Sequence, residues 1–192
     1  MSAASIMDRV RESSPLLKAR IAGYLYFFTL LSAQLLESLF PDRLNLMAGI
    51  IEVVGIGFVT LVLYYLFRPV NRNLSLVAAA LNFTGLTLEA SRLTSHGTDI
   101  AMVFHGFYCF LIGYVIIRSA LIPWPLGALI AFGGLSWLTD VSPSLAGHLS
   151  PYNLVCGLIG EASLFLWLLV MGVKVERWAH HRGPARTSRI AI

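Results

Sequence analysis

The chemistry open to this chain rests on ionisable residues set inside long apolar runs: Glu37, Glu52, Glu89, Arg92, His105, Asp140 and Glu161. A charge near the centre of a bilayer costs about 2.5–3.5 kcal/mol on insertion scales, so such groups are tolerated where they meet one another or water. A carboxylic acid that keeps its proton in an apolar pocket can serve as a general acid, and a neighbouring histidine as the base. Glu161, His105 and Glu52 are therefore the candidates for catalysis. Asn82, Glu89, Arg92, Glu37 and Asp140 are the candidates for the wall of the same pocket. Such a site suits acid–base work on a lipid or another small amphiphile, and the same groups can relay protons.

Helical spacing argues that these residues converge. Asn82, Gly85, Glu89, Arg92 and His96 follow steps of three and four, which makes one stripe on a helix. Asn45, Gly49, Glu52 and Gly55 make a second, and Asn153, Gly157 and Glu161 a third. His105 and Cys109 share a face. Stripes that mix glycine with polar groups belong inside a bundle, because small residues let helices approach closely and polar groups avoid lipid. His105 with Glu52, Glu89 or Glu161 could hold a metal ion, but one deep histidine without an H-E-x-x-H motif or a cysteine pair is thin for zinc. No metal and no cofactor is expected on that basis. Nucleophile-elbow, P-loop and dinucleotide patterns are also lacking.

The elements that must position these residues are membrane helices. Of 192 residues, 57% are hydrophobic and 12% charged, whereas a water-soluble domain carries about 25% charged residues. The expected fold is an all-α transmembrane bundle of six helices. The spans fall near Ala19–Phe40, Leu46–Phe67, Leu74–Thr94, Ile100–Ala120, Pro123–Asp140 and Tyr152–Val173, and Val141–Pro151 reads as a Ser/Pro/Gly loop. The polar stretch Met1–Arg20 and the length of the first apolar run argue for a span there rather than a cleaved signal peptide. Cys109 and Cys156 lie in apolar runs, so no disulfide is expected.

Twelve Lys and Arg residues flank the spans on one side and two, Arg43 and Arg92, on the other. Positive charge stays cytoplasmic, so both termini are expected inside. The organisation is then a cytoplasmic tail over 1–18, a six-helix domain over 19–175, and a basic tail over 176–192 near the headgroups. All the ionisable span residues fall in the outer half. The basic residues serve as topogenic flanks and not as a nucleic-acid surface, which leaves membrane lipids and a small amphiphile as the expected partners.

The order of four stretches resembles a family of bacterial six-helix membrane proteins, domain of unknown function 4386. They are Ala19-Arg20-Ile21-Ala22-Gly23, then Leu66-Phe67-Arg68-Pro69-Val70-Asn71-Arg72. The third runs from Phe104-His105-Gly106 through Gly113-Tyr114 and Arg118-Ser119 to Leu126-Gly127. The fourth is Gly160-Glu161-Ala162-Ser163-Leu164 with Leu166-Trp167-Leu168-Leu169 and Gly172. The resemblance implies a multi-pass protein of a bacterial cell membrane, and no activity. Pro123-Trp124-Pro125 departs from the family's basic residue at that turn. The leading functional expectation is an outer-side pocket that binds a small amphiphile, with acid–base transformation open to it. A proton- or ion-coupled permease and a structural or sensory subunit are the alternatives.

Overall fold

A computed structural model describes residues 15–39, 45–91 and 100–174, without the side chains of 33–39 and 45–46. Among the described residues the elements are α1 (Pro15–Leu39), α2 (Asn45–Phe67), α3 (Arg72–Ala90), α4 (Ile100–Ser119), α5 (Trp124–Trp137), a 3-10 turn (Leu138–Val141), α6 (Pro143–Leu149) and α7 (Tyr152–Val170). No strand occurs among them.

Local chemistry sets the boundaries. After α2 the turn Arg68-Pro69-Val70 breaks the helix, because the residue before a proline is pushed out of the helical region. Asn71 then caps α3, its side chain accepting from the Leu74 amide at 3.0 Å. Prolines 123 and 125 sit at the mouth of α5, where a missing N–H costs nothing. The stretch expected as a loop carries the short helix α6 instead. Ser142 caps it through the Leu145 amide and Pro143 occupies its first turn, a start signal that the Ser/Pro content had suggested was only a turn. Helix α1 begins at Pro15, so Lys18 lies in its first turn and is buried rather than a wet flank.

The helices close a ring: α1 packs on α2, α2 on α3, α3 on α4, α4 on α5, α5 on α7, and α7 back on α1. The tightest seam lies between α4 and α5. A Cβ on Gly113 would sit 2.5 Å from the Gly127 carbonyl oxygen and 2.7 Å from the Ala131 nitrogen, so these backbones touch only because the position has no side chain. The middle of the ring is filled by Ala22, Ile56, Leu63, Ala78, Ile112, Ile116, Leu164 and Leu168.

The outside is also apolar. Tyr24, Phe28, Ile50, Phe58, Phe132, Ile159 and Val170 are all more than half or nearly half exposed. A water-facing surface rarely carries so much contiguous apolar area. Among the described residues three helices are long and apolar enough to cross a membrane: Met47–Phe67, Ile100–Ser119 and Tyr152–Val170. At about 1.5 Å per residue, α5 reaches only about 21 Å before its 3-10 extension. Helix α3 is long enough but carries more polar residues, among them Asn73, Ser75, Asn82 and Thr84.

Candidate functional site

Each helix of the ring sends one polar side chain to a common centre, and the carboxyl group of Glu161 is its hub. Glu161 is the middle residue of α7 and is buried. Its Oε1 accepts from the Trp137 indole Nε1–H at 2.7 Å and faces His105 Nε2 at 3.1 Å. Its Oε2 accepts from the Tyr26 hydroxyl of α1. On the far side of the imidazole, His105 Nδ1 lies 3.0 Å from Asn82 Oδ1, and Asn82 Nδ2 donates to Thr60 Oγ1 at 2.6 Å. Cys109, one turn along α4, places its Sγ 3.4 Å from His105 Nε2.

The direction of the network follows from proton counting. The Thr60 hydroxyl donates to the Ile56 carbonyl at 2.8 Å, so its oxygen must accept from Asn82. The Asn82 amide is thereby oriented with its oxygen toward His105, which requires the imidazole proton on Nδ1. Nε2 is then free to face Glu161, and one proton must lie between Nε2 and Oε1, since two bare lone pairs would repel. The Asn82 and Thr60 side chains thus set which ring nitrogen works, as an outer shell does in many histidine sites. Replacing Asn82 by Leu should move the proton to the other ring nitrogen. Nitrogen-15 NMR of labelled histidine reads this directly: the Nδ1–H signature in the wild type, the Nε2–H signature in the variant.

Sequence determines some of this placement locally. Gly157 sits one turn before Glu161 on α7, and a Cβ there would lie 2.4 Å from the Trp137 ring. The glycine is the slot that lets the indole reach its carboxylate. A cavity of about 30 Å³ adjoins the hub. Tyr26, His105, Tyr108, Cys109 and Glu161 line its polar end, and Ala22, Leu63, Ile112 and Leu168 line the rest. That volume suits a water molecule or two. The Tyr108 hydroxyl is buried beside Thr60.

The sequence-derived candidates divide. Glu161, His105 and Asn82 come together. Glu52 does not line this cavity; it is half-buried on α2, eight residues or about 12 Å of helix from Thr60, which occupies the level expected for it. Glu89 is exposed in the last turn of α3. Asp140 is half-buried in the 3-10 turn. The side chain of Glu37, and Arg92 and His96, lie outside the described residues. Tyr26, Thr60 and Trp137 carry no charge inside their apolar runs, so the spacing of charged groups does not mark them. The available signal was that a buried tyrosine or tryptophan needs a partner for its polar tip. The centre also lies nearer mid-height than the outer end: Glu161, Asn82 and Tyr26 are all close to the midpoints of their helices.

With that geometry in place, comparison with other proteins shows what part of the chain is similar to known sequences. Residues 84–172 match the model of a domain of unknown function, DUF4386. The match spans the end of α3 through α7 and includes His105, Cys109, Trp137 and Glu161, and with them two of the four stretches on which the resemblance rested. An uncharacterised protein of Archaeoglobus fulgidus is 28% identical over 148 residues, covering 69% of this chain and 91% of the relative. No solved structure matches.

Proposed function

We propose that the chain is a six-span membrane protein, both termini cytoplasmic, whose central cavity binds a small amphiphile with its polar end on Glu161 and His105. The observation that carries this reading is the polarity gradient of one cavity. Its hydrogen-bonding groups gather at Glu161, and most of its remaining walls step away from that hub in one direction. Ala22 precedes Tyr26 on α1, while Ile112 and Leu168 each follow the site residue of their helix by two turns. Because α1 runs antiparallel to α4 and α7 in the six-span topology, all three point toward the end that bears the termini. A polar head at the hub and a hydrocarbon portion along these walls match that gradient.

The basic flanks, the apolar exterior and the three span-length helices support the membrane placement. The cavity is small, about 30 Å³, so a ligand larger than a few atoms requires its leucine and isoleucine walls to move. The apolar walls on the inner side offer no steps for an ion, which weighs against a permease.

The test is mass spectrometry of lipids and small molecules extracted from protein purified in native-lipid particles. A species enriched with the wild type at about one per chain, and depleted at least tenfold in both Glu161→Gln and His105→Ala, is expected. Equal recovery from wild type and both variants would sink the reading.

A further inference from the structure

At the same hub the fold adds Cys109 to the His105–Glu161 pair that, by spacing alone, is thin for a metal. Nε2 of His105, Sγ of Cys109 and a carboxylate oxygen of Glu161 all lie within 4.8 Å of one another. We infer that these three side chains bind a divalent transition metal of the zinc class, with the fourth position open to the cavity.

Three observations support this beyond the clustering. The first is spacing. Zinc binds nitrogen or oxygen at about 2.0–2.1 Å and thiolate at about 2.3 Å, so the edges of a tetrahedral site measure about 3.3–3.6 Å. The Nε2–Oε1 and Nε2–Sγ separations are 3.1 and 3.4 Å, within a few tenths of an ångström of these edges, and the third edge is no longer than 4.8 Å. His105 and Cys109 are one turn apart on one helix face, which fixes their mutual placement.

The second is the surrounding shell. A metal-ligating histidine donates its other N–H to a fixed acceptor, and ligating carboxylates are themselves hydrogen-bonded. Here Asn82, itself held by Thr60, takes the Nδ1 proton, and Trp137 and Tyr26 hold the carboxylate of Glu161. The lone pair of Nε2 therefore faces the cluster before any ion arrives.

The third is charge. Without metal, the three groups hold a thiol proton and the proton shared by His105 and Glu161, and their sum is zero. A divalent ion with one thiolate, one carboxylate and a neutral imidazole is also zero. Exchange of one M2+ for two protons leaves the bundle interior uncharged throughout, which a low-dielectric surrounding demands. Three protein ligands and one open position are the pattern of a catalytic rather than a structural zinc site. The buried Tyr108 lines the same cavity.

The inference does not depend on the amphiphile reading, and its test reads the metal alone. The full-length chain, carrying His180→Ala and His181→Ala to remove a competing adjacent pair, is titrated with Co2+ in detergent. The expected result is one Co2+ per chain with a thiolate-to-cobalt charge-transfer band and intense tetrahedral d–d bands. Cys109→Ser should abolish the charge-transfer band, Glu161→Gln should weaken binding more than tenfold, and Cys156→Ser should change neither. Zn2+ should displace the cobalt and, added to the metal-free protein with a pH indicator, release about two protons per ion. Asn82→Leu should weaken binding roughly 10- to 100-fold. Circular dichroism and gel filtration like the wild type's qualify each variant. The proton count and the charge-transfer band are read on otherwise unaltered bundle residues, so a variant that misfolds does not decide the matter. No thiolate band, a band that follows Cys156, or release of no protons would each overturn the site. Depletion of amphiphile without cobalt binding, or the reverse, separates the two proposals.

Discussion

Glu161→Ala should unfold the bundle at markedly lower denaturant than the wild type. The substitution removes one carboxylate and strands three partners at once: the Trp137 indole N–H, the Tyr26 hydroxyl and the His105 Nε2 position. Hydrogen bonds between membrane helices contribute about 0.6 kcal/mol on average and up to about 1.7 each, so the loss is about 2–5 kcal/mol. The stranded groups come from α5, α1 and α4, so the damage spreads over every neighbour of the hub. Glu161→Gln should cost far less, about 1 kcal/mol, because its carbonyl still accepts from Trp137 and its amide can donate to Tyr26 or to Nε2. Unfolding in mixed micelles, followed by circular dichroism, distinguishes the two. Equal losses for Ala and Gln would mean that the carboxylate fills space there and does not organise the hydrogen bonds.

The second large effect is expected at a residue with no polar group. Gly157→Ala puts a methyl 2.4 Å from Cε2 and 2.5 Å from Cζ2 of Trp137, well inside contact distance. The indole is rigid and nine-tenths buried, so it cannot yield by rotating a terminal bond. Either α7 and α5 part or the ring leaves its site and its bond to Glu161. Overpacking costs about 1–3 kcal/mol, and loss of the Trp137 bond adds about 1 kcal/mol, giving about 2–4 kcal/mol together. Trp137→Phe removes both the crowding and the bond. Added to Gly157→Ala, it should therefore cost less than the sum of the two single changes, by about 1 kcal/mol or more. Strict additivity would show that the slot and the indole do not act on each other.

Gly157 also illustrates what was legible in the chain. Its spacing of four from Glu161 marks it as part of an inward stripe, and the structure agrees. On the α3 stripe Asn82 and Gly85 are buried and Glu89 is exposed. Helical period alone cannot tell a residue in the last turn, where a carboxylate reaches water, from one at mid-height. The same holds for Glu52, which lies on a polar stripe of α2 but at a different level from the hub.

The sequence by itself determined an all-α chain, near-correct ends for most helices, and the two ionisable residues at the centre. Those follow from properties that are local in the chain: apolar run length, proline and asparagine at boundaries, and the cost of placing a carboxylate or an imidazole deep in an apolar run. Only the tertiary structure decided the company they keep. Tyr26, Thr60 and Trp137 reach Glu161 and His105 across 135, 45 and 24 positions of sequence or through Asn82. That company depends on the order in which six helices close a ring and on the height at which each crosses its neighbours. Packing of small residues sets those heights, and no periodicity along a single helix records them.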